Sequence, residues 1–185
     1  MLYRRLGKTG LKVSEIGFGA WGIGGGWGER DDKMAIAALE KSLELGLNFI
    51  DTALAYGEGH SEKLVGEAVR KSGKSVIIAT KVPPKNRIWP AQKTSYFRDV
   101  FPKDYVLECT DRSLDNLGLA QMDLQQFHVW NDDWANQDEW HDTVGELKKS
   151  GRIKAYGISI NDHEPDNVLN ALETGIVDTV QVIYN

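Results

Sequence analysis

The 185-residue sequence predicts an α/β fold, and within that class an incomplete (β/α)₈ barrel entered through an N-terminal β-hairpin. Three observations carry this. Apolar segments of strand length alternate with segments of helical apolar spacing, which implies parallel strands. Nearly every strand ends in a residue suited to a binding site: Trp21, Asp51, Lys81, His128, Ser159 and Gln181. In an open doubly wound sheet the ligand crevice lies at one switch point, whereas in a barrel all strand ends converge on one mouth. Finally, the pattern yields six core strands and five helices, while a full barrel takes about 250 residues. The expectation is one domain over residues 1–185, equivalent to the first two-thirds of a barrel.

The elements follow in order. Leu2 to Ile16 reads as two short strands around the turn residues Lys8-Thr9-Gly10. Ile16 to Trp21 is the first core strand, running into the glycine-rich stretch Gly22 to Gly28. Asp31 or Asp32 caps a helix whose Ile36, Leu39 and Leu43 recur at helical spacing, and Gly46 ends it. Leu47 to Asp51 is a strand. Ser61 is expected to cap the next helix, with Leu64, Val65, Ala68 and Val69 on one face and Gly73 near its end. Val76 to Lys81 is a β-branched strand that suits burial on both faces. Pro83 to Pro102 reads as a long irregular excursion. Then come a helix from Lys103 to Leu117, a strand from Asp123 to Val129, a helix from Glu139 to Lys149 and a strand from Ile153 to Ser159. A helix from Pro165 to Glu173 and a strand from Asp178 to Tyr184 complete the pattern.

Composition narrows the function classes. The net charge of −5 disfavours nucleic acid as a partner, because phosphate binding needs a basic surface. The single cysteine, Cys109, excludes an internal disulfide framework and fits a reducing compartment; it reads as a small apolar helix residue. The N-terminus lacks the apolar run of a signal peptide, and no segment has transmembrane length, so a cytoplasmic protein without membrane contact is expected. His60, His141 and His163 lack metal-ligand spacing, and no metal is expected.

Four side chains suggest chemistry. Asp51 and Lys81 each end an apolar strand and face one mouth; a buried structural ion pair is the plainer reading. Tyr56, five residues after Asp51, could merely pack over the rim, and His128 could be a satisfied core histidine. Together they suit proton delivery to a carbonyl oxygen. A free phenol has a pKa of about 10, and a nearby ammonium lowers it. Asp51 holds Lys81 charged and aimed, and His128 orients the carbonyl.

The chain resembles an aldo-keto reductase. The matching stretches are Gly19-Ala20-Trp21, Asn48-Phe49-Ile50-Asp51-Thr52-Ala53 leading to Tyr56-Gly57, Ala79-Thr80-Lys81, Phe127-His128, Tyr156-Gly157-Ile158-Ser159 and Gln181-Val182-Ile183-Tyr184-Asn185. The resemblance implies a hydride exchanged between NADP(H), with NAD(H) as the alternative, and an aldehyde, ketone or sugar. It implies Tyr56 as general acid, assisted by Lys81, Asp51 and His128. It implies Ser159 and Gln181 on the nicotinamide carboxamide, with Ala20, Trp21, Asp51 and Asn161 also at the cofactor. Substrate contacts are implied for Trp21, Tyr56 and His128. In the family an asparagine commonly follows the serine directly, whereas here Ile160 intervenes before Asn161. The family's contacts to the adenine end of the cofactor lie largely beyond the sixth strand.

Other features are weighed beside it. Gly22 to Gly28 lacks the ordered dinucleotide fingerprint and reads as a flexible loop at the mouth. Trp130 and Trp134 are expected to line a substrate entrance opposite Trp21 and Trp27, favouring apolar or aromatic carbonyls. A second function class is a non-catalytic barrel fragment that serves as a binding or assembly partner, self-associating through open sheet edges.

Overall fold

The computed structural model describes residues 1–25, 31–160 and 163–184. A hairpin opens the chain: β1 (Tyr3–Arg5) pairs antiparallel with β2 (Lys12–Ser14) in the register Arg4 to Val13. The six strands that follow form one parallel sheet in sequence order. They are β3 (Phe18–Gly19), β4 (Phe49–Asp51), β5 (Ile77–Val82), β6 (Met122–Phe127), β7 (Ile153–Ser159) and β8 (Thr179–Gln181). Helices α1 (Asp32–Glu44), α2 (His60–Ser72), α4 (Lys103–Leu117), α5 (Asp138–Lys149) and α6 (Leu169–Glu173) lie between successive strands. A short α3 (Phe97–Val100) interrupts the excursion before α4. The sheet is curled, an incomplete barrel: Gln181 Nε2 on β8 donates to Asp51 Oδ2 on β4 at 3.1 Å, across four strand pairings.

Strand alternation sorts the side chains. Adjacent residues point to opposite faces, so the register that aligns Asp51 with Ala79, Ala79 with Leu124, Lys81 with Gln126 and Ser159 with Gln181 collects these on one face. Toward the strand starts that face holds Ala79, Leu124 and Ala155, packed with Leu6 of the hairpin and Phe49. The hairpin therefore covers the end of the barrel opposite the strand ends. The other face, with Ile50, Ile78, Val82, Phe127, Tyr156 and Ile158, packs against Leu39, Leu43, Val65, Val106, Leu117 and Leu147 of the helices in the main core.

Most expected boundaries hold, and α4 and β7 have the expected ends. Four readings change. The first core strand shortens to Phe18–Gly19. Ser61 does not cap α2: the cap is Gly59 in the left-handed region, φ 95°, and the Ser61 hydroxyl turns to other strands. The helix expected from Pro165 begins only at Leu169, because a distant carboxylate supplies its start; Asp132 accepts from Asn170 N and Ala171 N. The last strand stops at Gln181 instead of Tyr184. Cys109 is buried, and burial raises its thiol pKa, as an apolar helix residue requires.

Candidate functional site

Lys81 is the centre of the site. It is the fifth residue of β5, with an alkyl stem that leaves its side chain 2 % exposed. Its ammonium donates to both oxygens of Asp51 at 2.8 Å, to the Thr52 carbonyl at 2.9 Å and, more weakly, to the Tyr56 hydroxyl at 3.4 Å. Register produces the pair: Asp51 lies beside Ala79, so its carboxylate meets the lysine two residues further along β5. Burial pushes the Lys81 pKa down, and the Asp51 charge and hydrogen bonds oppose that.

Tyr56 sits in the turn between β4 and α2. Its amide donates to Ala53 O, and Ser61 N donates to its carbonyl at 3.2 Å. Gly57 takes φ 65°, and Gly24 lies so close that a Cβ there would come within 2.9 Å of Tyr56 backbone. Only glycines allow this turn and the Gly22–Gly24 turn to touch. The expected lowering of the phenol pKa is not what this arrangement produces. Burial, and then the negative charge of Asp51, push it up to about 12. Lys81 has its field matched by a two-oxygen carboxylate at 2.8 Å and stands further from the phenol.

His128 follows β6 and meets the Tyr56 ring edge-on, with centroids 5.6 Å apart. Packing around the ring, and then the Lys81 charge, depress its pKa to about 3, so the imidazole is neutral at ordinary pH. Its Nδ1 is buried with no hydrogen-bond partner among the described residues. Beyond His128 opens a cavity of about 330 Å³ lined by Trp89, Pro90, Val129, Trp130 and Ile160.

The remaining expected residues fall into two groups. Ser159, half-buried, stands beside Gln181 in the β7–β8 register, which sets a hydroxyl next to an amide at the mouth. Gln181 already donates to Asp51 and accepts from Gln126 Nε2 at 3.2 Å. A hydroxyl and a carboxamide side by side can pair with another carboxamide, so these residues fit a nicotinamide. Trp21 is 54 % exposed and 6.5 Å from the Tyr56 ring. Ala20 is fully buried behind it; its amide donates to Asp51 O and its carbonyl accepts from Ser61. Asn161 and Trp27 lie outside the described residues.

One tryptophan reading needs correction. Trp134 is completely buried, donates to Ser95 O and packs edge-on against Phe97, Phe101 and Trp130, so it is core and not entrance. Trp130, 1 % exposed, does line the cavity. The sequence reading passed over Trp89, 45 % exposed and 5.8 Å from the His128 ring, as well as Thr52, Ser61 and Gln126. Alternation along β6 could have placed Gln126 on the site face; no local signal marks Trp89. Among the described residues, no three acidic, His or Cys side chains cluster closely enough to hold a metal. No helix there is long and apolar enough to cross a membrane.

Known proteins share this arrangement of elements. A model of the Aldo/keto reductase family matches residues 15–185. The aldo-keto reductase YhdN of Bacillus subtilis is 35% identical over 188 residues, covering 100% of this chain and 54% of the relative. The NADH-specific methylglyoxal reductase of Escherichia coli is 31% identical over 97% of this chain and 58% of its own length. The structure of an aldo-keto reductase from Bacillus halodurans, in its holo form, aligns at a TM-score of 0.78 with 30% identity, covering 100% of this chain and 58% of that one. The chain spans about half the length of the curated relatives it matches.

Proposed function

The chain belongs to the aldo/keto reductase family, and on that premise we propose that its site passes a hydride between NADP(H) and the carbonyl or alcohol carbon of an aldehyde, ketone or sugar. NAD(H) is the alternative cofactor. The observation that carries the reading is the Lys81 ammonium, held by both Asp51 oxygens and touching the Tyr56 hydroxyl at 3.4 Å beside the cavity. The bound nicotinamide supplies the hydride in reduction and takes it up in oxidation.

The chain's own residues handle the proton. Tyr56 O–H donates to the carbonyl oxygen as negative charge develops there, and an alkoxide is basic enough to take that proton from a phenol. Lys81 then steadies the phenolate that forms, and Asp51 keeps the ammonium aimed. His128, neutral, donates from its outer nitrogen to the same oxygen and orients it. Ser159, Gln181, Asn161, Ala20 and Trp21 hold the nicotinamide end of the cofactor. Trp130 and Trp89 bound the side of the cavity that receives the carbon skeleton. With the phenol pKa at about 12, roughly one part in 10⁵ is phenolate at pH 7. The phenol therefore rests protonated, the form that donates in reduction. The proposed location is the cytoplasm, where a lone buried thiol stays reduced.

The test is Tyr56→Phe, followed by consumption of reduced cofactor with an aldehyde. Loss of a positioned proton donor costs about 10²–10⁴-fold in rate. Quenching of tryptophan fluorescence by the cofactor should persist in the variant, and turnover within threefold of the parent would remove the assignment. A second reading has its own observation: β3 and β8 pair on one side only among the described residues, leaving edges that suit an assembly role. Under that reading, fluorescence does not respond to NADPH.

A further inference from the structure

Ser61 stands in the first turn of α2, yet its hydroxyl is not used by the helix. It donates to the Ala20 carbonyl at 2.8 Å, at the end of β3. The same oxygen lies 2.8 Å from Thr52 Oγ1. A serine has one hydroxyl proton, and Ala20 O takes it, so Thr52 must be the donor in the second bond. Both residues are completely buried, which excludes water as a substitute partner.

These bonds close a circuit. Ala20 N donates to Asp51 O at 2.8 Å, Asp51 accepts from Lys81, and Lys81 donates to the Thr52 carbonyl. Thr52 returns to Ser61 through its hydroxyl, and Ser61 N donates to the Tyr56 carbonyl at 3.2 Å. We propose that Ser61 is a positioning residue of the site: it fastens the end of β3, the end of β4 and the Tyr56 turn to one another, and so sets the Lys81–Tyr56 separation. That contact, at 3.4 Å, is the longest of the four made by the ammonium, so it is the first to fail when the turn drifts. Trp21 follows Ala20 directly in the chain, with its ring 6.5 Å from that of Tyr56. The proposal rests on the reading of Tyr56 as proton donor for its effect on rate; the fastening itself does not depend on it.

Hydrogen exchange on the whole chain tests it without turnover. In Ser61→Ala, amides in residues 18–24 and 52–61 should exchange at least about tenfold faster, with 103–117 and 122–127 unchanged, because the opening is local. Ser61→Thr, which keeps the hydroxyl, should restore protection. Thr52→Val removes one bond only, so it should loosen 52–61 and spare 18–24. It also serves if Ser61→Ala does not accumulate folded. Unchanged rates in both segments, or uniform acceleration along the chain, would overturn the proposal. In turnover, Ser61→Ala should lower kcat at least tenfold with KM within twofold, and Ser61→Thr should recover it; an unchanged kcat beside lost turnover in Tyr56→Phe also overturns it. Retained turnover in Tyr56→Phe, with the local exchange pattern intact, would remove the proton-donor reading and leave the fastening standing.

Discussion

Asp51 and Lys81 show what a single pair contributes, because each is costly without the other. Lys81 is 2 % exposed and Asp51 19 %. Removing one partner of such a pair leaves an uncompensated buried charge, which typically costs about 3–5 kcal/mol. Lys81→Met should therefore lower the urea midpoint sharply, and adding Asp51→Asn should recover part of the loss; additive effects would mean that the two are not coupled. His128 makes a pH prediction. Its pKa is about 3 in the folded chain, against about 6.5 unfolded. The unfolded state binds the extra proton between those values, so this residue's contribution to stability falls as pH drops below about 6.5. Between pH 7 and 4.5 the parent should lose about 2–3 kcal/mol more than His128→Leu, measured by urea unfolding. At this scale the identity of the charged residues was legible, since they end apolar strands. The direction of the Tyr56 shift was not, because it depends on how completely Asp51 matches the Lys81 charge and how little water reaches the phenol. Those are three-dimensional quantities.

The helices test packing against propensity. Gly66 lies inside α2, where alanine would ordinarily gain about 1 kcal/mol in helix propensity. A Cβ there, however, would stand 2.5 Å from the Leu117 carbonyl oxygen and 2.8 Å from its carbon, at the crossing of α2 with α4. Overpacking of this kind costs about 1–3 kcal/mol and involves backbone that cannot rotate away. Gly66→Ala should therefore lower the Tm. Gly145, at an exposed position of α5, has nothing within 4 Å of its would-be Cβ, and Gly145→Ala should raise stability by about 0.5–1 kcal/mol. Equal signs for the two would contradict the packing argument. The same contrast explains which elements could be read. The ends of α4 and β7 follow from local periodicity and the residues beyond them, Gly118 in the left-handed region among these. The start of α6 and the duty of Ser61 follow from Asp132, Thr52 and Ala20, which are far away in sequence. Trp134 was misplaced for the same reason: its position in a polar stretch gave no sign of the Phe97 and Phe101 rings that enclose it.

For the molecule as a whole, the group proposed to deliver the proton is more local than the barrel around it. Asp51, Tyr56 and Lys81 all come from β4, the turn after it and β5, so their geometry needs neither sheet edge. The residues proposed to hold the cofactor draw on β7 and β8, and β8 pairs only with β7 among the described residues. Directly after β8, Val182 and Ile183 are 45 and 59 % exposed, an apolar margin beside unpaired strand backbone. Such an edge is a template for pairing with another chain, and a lysine on it is an effective block. Produced as these 185 residues alone, the chain should therefore show a mass that rises with concentration in sedimentation equilibrium. Val182→Lys should shift it toward the monomer while leaving the Asp51–Lys81–Tyr56 group and its stability contribution in place. The net charge of −5 opposes association only weakly at physiological salt, where screening acts over about 8 Å, so raising the ionic strength should strengthen it slightly. A strict monomer at all concentrations would show that the curl, which carries Gln181 back to Asp51, already shields the β8 edge well enough to prevent pairing.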